Sequence, residues 1–313
     1  MTRTRRNGGH RGGPSKGNRG KARPVRRTIH LESGTIESLR LQLARGEDIR
    51  AFAAAYFGSF ASQRAEIRDK LTRVLAEVAE PREISRWQRA IRLKHTLTPL
   101  SARGSVLNRV GGRFNFGRID ERRFSAFPAL YLASDRATAL QERLGESRGT
   151  PRLTPLELAL QDTTSISVVS ISGRVEITLD ISKNKHLQPF LEETRDFTVP
   201  QELATWAERL GLNPPSVAQS IEDLRREIQN PNWRQVPAAF GHPSNSQVFG
   251  ELAMAAGIEA IVFPSSKSNQ SCLAVFPQNF ANSDAFLALD DDPPDGASKV
   301  VTRLDKNTWH DLV

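Results

Sequence analysis

The spacing of hydrophobic residues predicts a helical region between residues 35 and 95. Ile36, Leu39 and Leu43 recur every three or four positions, which is the period of one face of an α-helix. Gly46 interrupts this pattern and is followed by Glu47 and Asp48. We therefore expect one helix to end near Gly46 and another to begin just after it.

Two further hydrophobic stripes continue the same region. The first consists of Ile67, Leu71, Val74, Leu75 and Val78, and Pro81 ends it. The second contains Ile84, Trp87 and Ile91. Both are interpreted as helix faces that pack against a core. The alternative is that the helical region docks a partner protein.

After Pro99 the pattern changes to short strands separated by turns and helices. Hydrophobic runs predict strands over residues 127–133, 165–172, 174–181, 258–263 and 272–276. The runs 165–172 and 174–181 flank Gly173, which is interpreted as a turn. Strands and helices alternate without a regular βαβ repeat, so the pattern favours an α+β domain with a mixed β core and surrounding helices.

The predicted helices of this part lie between the strands. Ser134 is a favourable N-cap for an Ala-rich helix over residues 135–144. Residues 190–230 are mostly helical in pattern, and residues 244–257 (SNSQVFGELAMAAG) predict a helix that ends at Gly257. The acidic segment 290–296 is expected to be irregular.

The net charge of +9 is concentrated in the first 28 residues. That segment holds ten of the 44 basic residues and no acidic ones, so the remainder has 34 basic residues against 35 acidic ones. A glycine-rich, polar segment buries too little surface to offset the entropy of ordering, so residues 1–28 are expected to be a disordered basic tail. A nonspecific nucleic-acid contact through this tail is the alternative to a simple solvated extension.

Composition excludes several classes of protein. Cys272 is the only cysteine, so an internal disulfide and a cysteine-based zinc cage are excluded. The six histidines never pair at metal-ligand spacing, so no metal is expected. No hydrophobic run approaches the roughly 20 residues of a membrane helix, and no hydrophobic segment follows the basic N-terminus as in a secretory signal. We therefore expect a cytoplasmic protein that does not bind membranes.

Residues 111–142 carry three polar side chains in an unusual order. Arg113 lies in a glycine-rich turn, where the backbone can approach a ligand and a guanidinium can bind phosphate. Tyr131 interrupts a hydrophobic strand and, by alternation, faces away from Leu130 and Leu132. Glu142 lies two turns into the following helix. Taken singly, each has a structural explanation: an ion pair, a core tyrosine or a solvated glutamate.

Taken together, these segments resemble the RES-domain family. The likeness rests on GGRFNF at 111–116, PALYLASDRATALQE at 128–142, SQVFGELAMAAGIEAIVFPSS at 246–266 and LAVFP at 273–277. RES proteins are known chiefly as toxins encoded with an Xre-type antitoxin, and their fold is similar to that of ADP-ribosyltransferases. They consume NAD⁺ by phosphorolysis or hydrolysis, and some ADP-ribosylate a protein. The likeness covers roughly residues 100–280.

The resemblance implies a set of site residues. It places catalytic roles on Arg113, Tyr131, Glu142 and Ser265, while Ser266, Ser268 and Ser271 are alternatives for the serine. The NAD⁺-binding residues implied are Arg113, Asn115, Tyr131, Ser265 and Ser271. Two departures from the family pattern are the charged insertion GRIDERRFSAF and Phe116 in place of the usual proline. Inorganic phosphate is a possible co-substrate.

These considerations give four predicted regions and two functional hypotheses. The regions are the tail (1–28), a helical N-terminal region (29–98), the RES domain (99–280) and a C-terminal extension (281–313). One hypothesis is an NAD⁺ phosphorylase or glycohydrolase that acts as a toxin, with protein ADP-ribosylation as a variant. The other is a non-catalytic binding module that uses the tail and the helical region. The sequence does not specify an oligomeric state.

Overall fold

The chain divides into two compact units, Met1–Arg45 and Gly46–Val313, and the sheet belongs to the second. A computed structural model describes residues 33–144, 165–268, 270–293 and 300–313, with side chains in the first helix from residue 43 onward. The predicted tail at 1–28 and residues 294–296 of the acidic segment lie outside the described residues, while residues 290–293 are irregular, as expected.

The helices are listed here in chain order. They are α1 (Ser33–Glu66), α2 (Arg68–Glu77), α3 (Arg136–Leu144), α4 (Asn184–Thr194), α5 (Gln201–Arg209), α6 (Ile221–Ile228), α7 (Gln235–Phe240), α8 (Asn245–Ala255) and α9 (Trp309–Leu312). Short 3₁₀ helices span Leu93–His95, Arg103–Ser105 and Pro277–Asn282. Among the described residues, no helix is both long enough and apolar enough to cross a lipid bilayer.

The strands form one large sheet and one small hairpin. They are β1 (Glu80–Arg92), β2 (Gly111–Gly112), β3 (Asn115–Phe116), β4 (Leu130–Ala133), β5 (Ile166–Asp180), β6 (Ala260–Pro264), β7 (Ser271–Val275), β8 (Phe286–Leu289) and β9 (Arg303–Leu304). The seven-stranded sheet has the order β1-β4-β7-β6-β5-β8-β9, and β1 also pairs with β5. Strands β5 and β6 are parallel, whereas the other pairs are antiparallel. The predicted α+β class with a mixed β core is confirmed.

The α1 helix and the sheet correct two expectations about the N-terminal region. Helix α1 runs through Gly46, so the predicted break there is wrong. A glycine inside a helix costs only about 1 kcal/mol, which a long helix tolerates. The helix predicted through Ile84, Trp87 and Ile91 is also wrong, because these residues lie on β1.

A β-bulge explains why β1 has a helix-like spacing. Ile84 pairs with Gly173 and Trp87 pairs with Ile171, so three steps along β1 match two steps along β5. Arg86, within the bulge, has a φ of 54°. The extra residue returns Trp87 to the face that Ile84 occupies, and normal alternation then brings Ile91 to the same face. The buried residues of β1 are therefore three and four positions apart, which is also the spacing on one face of a helix.

The sheet is buried on both faces. One face packs on helices α2, α4, α6 and α8 through a core that includes Leu71, Leu75, Phe190, Leu252 and Phe263. The other face packs against α9 and a core that includes Trp87, Leu130, Leu132 and Phe280. Leu71 and Leu75 are fully buried, which confirms the interpretation of the α2 stripe as a packing face. The C-terminal segment also contributes β8 and β9 to the sheet.

The turn predicted at Gly173 is wrong, because β5 is continuous through that residue. The glycine is required for a different reason. A Cβ atom added at Gly173 would lie 2.1 Å from the carbonyl oxygen of Phe286, which belongs to the neighbouring strand β8. Gly173 therefore allows close approach of two strand backbones rather than a reversal of the chain.

We expect Gly173→Ala to lower the free energy of unfolding by about 1–3 kcal/mol, because the added methyl group must displace β8. Gly58→Ala in α1 is the matched control, since its added Cβ meets no atom within 4 Å. The control should be neutral or stabilising by up to about 1 kcal/mol. Denaturant titration measures both, and equal effects of the two substitutions would contradict this explanation.

Candidate active site

The glycine turn at 111–117 is built around close backbone contacts. Strands β2 and β3 pair as a two-stranded hairpin, with Arg113 and Phe114 at its tip. Gly111 has a φ of +86°, a backbone conformation that is strained for any residue with a Cβ atom. A Cβ atom at Gly112 would lie 2.3 Å from the hydroxyl oxygen of Tyr131. The two glycines therefore let the turn reverse and lie directly against Tyr131.

Tyr131 fastens this turn to the large sheet. Its hydroxyl accepts a hydrogen bond from the Phe114 N–H at 2.9 Å and donates one to Asn115 Oδ1 at 2.9 Å. Burial raises the pKa of Tyr131 above its usual range, so the hydroxyl stays protonated. Tyr131 packs on the helix-covered face, opposite to Leu130 and Leu132, as alternation predicts. Its hydroxyl is occupied by the turn, and the side chain is half-buried.

Asn115 lies beneath the turn and is fully buried. Its Oδ1 atom accepts hydrogen bonds from Gly112 N–H and from Tyr131, and its Nδ2 atom donates to the Phe127 carbonyl at 2.9 Å. Both ends of the amide are therefore engaged within the protein. This geometry gives Asn115 a role in positioning Tyr131 and the turn.

Gln247 holds the turn against α8. Its Nε2 atom donates to the carbonyl oxygens of Val110, Gly112 and Asn115 at 2.7, 3.1 and 3.0 Å. Its Oε1 atom accepts the Ser244 N–H at 3.1 Å in a capping box at the start of α8. The cap fixes the amide orientation and leaves the NH₂ group facing the turn. Sequence reasoning missed Gln247, although the S-x-x-Q spacing of a capping box could have indicated it.

Glu142 and Ser265 form the second part of the site. Ser265 Oγ lies 2.6 Å from Glu142 Oε1 and accepts hydrogen bonds from the N–H groups of Lys267 and Ser268 at 3.0 and 3.1 Å. Because two donors already point at the serine oxygen, its own proton is directed to the carboxylate. Ser265 is buried and Glu142 is half-buried on α3.

The start of α3 supports the serine loop. Thr138 Oγ1 donates to Asp135 Oδ2 at 2.7 Å and lies 2.9 Å from Ser268 Oγ. Asp135 Oδ1 also accepts the Thr138 N–H at 2.9 Å, so Asp135 caps α3 and the predicted cap at Ser134 is wrong. The charged carboxylate is the stronger acceptor for an exposed helix N–H. Ser271 lies at the start of β7, opposite Pro264, where its carbonyl accepts the Ser134 N–H.

Arg113 joins the two parts of the site. Its Nη1 atom donates to the Asn230 carbonyl oxygen at 3.1 Å, and its guanidinium carbon lies 5.8 Å from the centre of the Trp233 ring. Burial lowers the pKa of Arg113, and the nearby Glu142 carboxylate opposes that change. The fold thus brings Arg113, Tyr131, Glu142 and Ser265 into one region, although they come from the hairpin, β4, α3 and the 265–271 loop.

Cys272 borders the same region and was not predicted there. The thiol is buried on β7 next to Ser265, and burial together with the nearby Glu142 carboxylate raises its pKa to about 12. A thiol that stays protonated is a weak nucleophile, so the position indicates packing rather than covalent chemistry. Among the described residues, no group of three or more His, Cys, Asp or Glu side chains could hold a metal ion.

Comparison with known families identifies the domain. The family model for the RES domain matches residues 86–294, which are 209 of the 313 residues. The chain belongs to the RES-domain family. The match begins within β1 and ends after β8, and the boundaries of 99–280 stay a prediction.

Other comparisons give distant similarity. Among solved structures, a chain from the crystal structure of the M. tuberculosis MbcT–MbcA toxin–antitoxin complex is 16% identical and has a TM-score of 0.38. The alignment covers 77% of the RES protein described here and 96% of that chain. No curated protein sequence gives a significant match.

We expect Gln247→Met to lower the free energy of unfolding of the RES protein by about 2–4 kcal/mol, since three turn carbonyls and the Ser244 N–H lose their partner. Gln229→Met is the matched control, because the buried Nε2 atom of Gln229 has no hydrogen-bond partner among the described residues. The control should change stability by less than about 0.5 kcal/mol. A Gln247 variant as stable as the control would show that these bonds do not hold the turn.

Proposed function

We propose that this RES protein cleaves the bond between nicotinamide and ribose in NAD⁺, as an NAD⁺ phosphorylase or glycohydrolase. The observation that carries the proposal is the 2.6 Å contact between Ser265 and Glu142, in the region that also holds Arg113 and Tyr131. This combination supplies an anion, a cation and an aromatic ring to one substrate.

Glu142 is the residue that acts on the reacting bond in this proposal. Cleavage develops positive charge on the ribose, as in glycoside hydrolysis, and a fixed carboxylate stabilises that charge. Nicotinamide leaves as a neutral molecule from a cationic start, so the reaction requires no general acid. The hydrogen bond from Ser265 keeps one carboxylate oxygen in place before the substrate binds.

Arg113 and Tyr131 bind and orient NAD⁺ in the same scheme. The Arg113 guanidinium, already held by the Asn230 carbonyl, presents its remaining N–H groups to phosphate. The Tyr131 ring stacks on nicotinamide or ribose, while its hydroxyl maintains the glycine turn. Ser271 donates a hydrogen bond to ribose or phosphate, Ser265 holds Glu142, and Asn115 contributes by holding Tyr131.

We further propose that the protein is a toxin neutralised by an antitoxin of the Xre type that occludes this region. The family resemblance is the basis for this part. ADP-ribosylation of a protein target is the second candidate, because an exposed region beside Glu142 would accept a protein nucleophile as well as water or phosphate. The basic segment 1–28 remains a candidate for nonspecific nucleic-acid contact.

We expect Glu142→Gln to reduce NAD⁺ turnover by about 10²–10³-fold with little change in KM. Glutamine keeps an oxygen that accepts the Ser265 proton but removes the charge that faces the developing cation. Glu208→Gln, at an exposed position of α5, is the control and should turn over like the parent. Turnover is measured by release of nicotinamide, with and without inorganic phosphate, so that ADP-ribose and its phosphorylated product can be distinguished.

Two results would contradict the assignment of Glu142. One is equal turnover by Glu142→Gln and Glu208→Gln in folded protein. The other is that the parent and Glu142→Gln both arrest the growth of a bacterial host while the cellular NAD⁺ pool stays unchanged. That result would favour modification of a specific target.

We expect Ser265→Ala to reduce turnover by about 10-fold, because Glu142 loses the hydrogen bond that orients it. The neighbouring Ser266 is exposed, so Ser266→Ala is the matched control and should have no effect. The pair of variants also tests which serine of the loop is used. A larger loss in Ser266→Ala than in Ser265→Ala would reverse the assignment.

A further inference from the structure

The segment 230–234 packs against Arg113 and supplies a second arginine. Asn230 accepts a hydrogen bond from Arg113 through its carbonyl oxygen. Trp233 is buried, and both Arg113 and Arg234 lie over its ring, with guanidinium carbons 5.8 and 4.7 Å from the ring centre. The indole therefore holds two guanidinium groups close to each other through cation–π contacts.

Neither guanidinium forms an ion pair within the part of the chain that the structure describes. Within the described ranges, Arg113 and Arg234 have no carboxylate within 4.0 Å, whereas Arg68, Arg82 and Arg226 all form ion pairs. The charge of Arg234 also contributes to lowering the pKa of Arg113. Two like charges held side by side repel each other, and a bound anion removes that repulsion.

We propose that Arg234, positioned by Trp233, pairs with Arg113 to clamp the diphosphate of NAD⁺. The inference rests on the proposed function and adds a substrate-binding residue to it. Two phosphates in a row match two forked guanidinium groups, each of which can donate two parallel hydrogen bonds. In NAD⁺ the diphosphate is one ribose away from the bond that is cleaved. Arg113 lies correspondingly near Glu142, and Arg234 contacts the same Trp233 ring as Arg113.

Inorganic phosphate has the same chemistry and could be the anion that Arg234 binds. The number of guanidinium groups favours the diphosphate, because a single phosphate would leave one of the two arginines without a matched partner. The experiment therefore uses ADP-ribose and inorganic phosphate as separate probes.

The test measures binding without relying on turnover. In the Glu142→Gln background, ADP-ribose is titrated by calorimetry into protein with Arg234 intact, with Arg234→Ala and with Arg226→Ala. Arg234 is exposed, so its substitution leaves the core intact, and unchanged thermal unfolding verifies this. Arg226 is an exposed arginine on α6, paired with Asp223, and serves as the matched control.

Arg234→Ala should weaken ADP-ribose binding by about 10- to 100-fold, because the charged hydrogen bonds from Arg234 to phosphate are lost. Arg226→Ala should leave ADP-ribose binding unchanged. With Glu142 present, Arg234→Ala should raise KM for NAD⁺ by a similar factor and change kcat little. Equal affinities of the Arg234→Ala and Arg226→Ala proteins for ADP-ribose would overturn the clamp. An effect of Arg234→Ala on the KM for inorganic phosphate alone would also overturn it, in favour of a co-substrate site.

These outcomes separate the clamp from the proposed function. If Glu142→Gln abolishes turnover but Arg234→Ala binds ADP-ribose normally, only the clamp fails. If protein with Arg234 intact neither binds ADP-ribose nor cleaves NAD⁺, the proposed function fails and the clamp fails with it.

Discussion

The arrangement of the site depends on three hydrogen bonds that the Gln247 side chain donates to the glycine turn. The turn carries Arg113 at its tip and supplies the Phe114 N–H that Tyr131 accepts. Gly250 allows α8 to come this close, because a Cβ atom there would lie 2.2 Å from the Phe114 carbonyl oxygen. A hairpin of two residues per strand has little stability alone, so its geometry is imposed by α8 and by Tyr131.

The second half of the site is supported independently, by α3. Asp135 orients Thr138, and Thr138 contacts Ser268 of the loop that presents Ser265 to Glu142. The loop and the glutamate are therefore positioned by the same short helix. Preorganisation of this kind matters for an electrostatic mechanism, since a carboxylate that is already fixed does not have to be reoriented during the reaction.

Local patterns in the sequence predicted the secondary structure correctly where a single helix or strand period dominates. The α2 stripe and the hydrophobic runs of β6 and β7 follow simple rules, and the structure contains each of them. The patterns failed at β1 and Gly173, where a bulge imitates helical spacing and a close strand contact imitates a turn. Both features arise from the neighbouring strand rather than from the local sequence.

The same limit applies to the candidate site. Arg113, Tyr131 and Glu142 occur within 30 residues of sequence, and their types and order were informative. Gln247, Trp233 and Arg234 lie about 90 or more residues further along the chain from Glu142, and only the tertiary fold brings Gln247 and Trp233 to Arg113 and its turn. No spacing rule connects such distant segments, so the sequence does not show that these residues meet Arg113 and its turn. The S-x-x-Q spacing at Gln247 indicates only the cap of α8.

The proposed roles together give the site a charge pattern that matches NAD⁺, the proposed substrate. In this proposal the Glu142 carboxylate, which accepts the Ser265 hydrogen bond, faces the ribose, and Arg113 and Arg234 provide positive charge for the diphosphate. NAD⁺ has the complementary order, with a cationic nicotinamide ring separated from an anionic diphosphate by one ribose. The reverse orientation would place nicotinamide beside two arginines and phosphate beside a glutamate, and both contacts are repulsive. On this scheme, charge alone selects the orientation that brings the bond to be cleaved to Glu142.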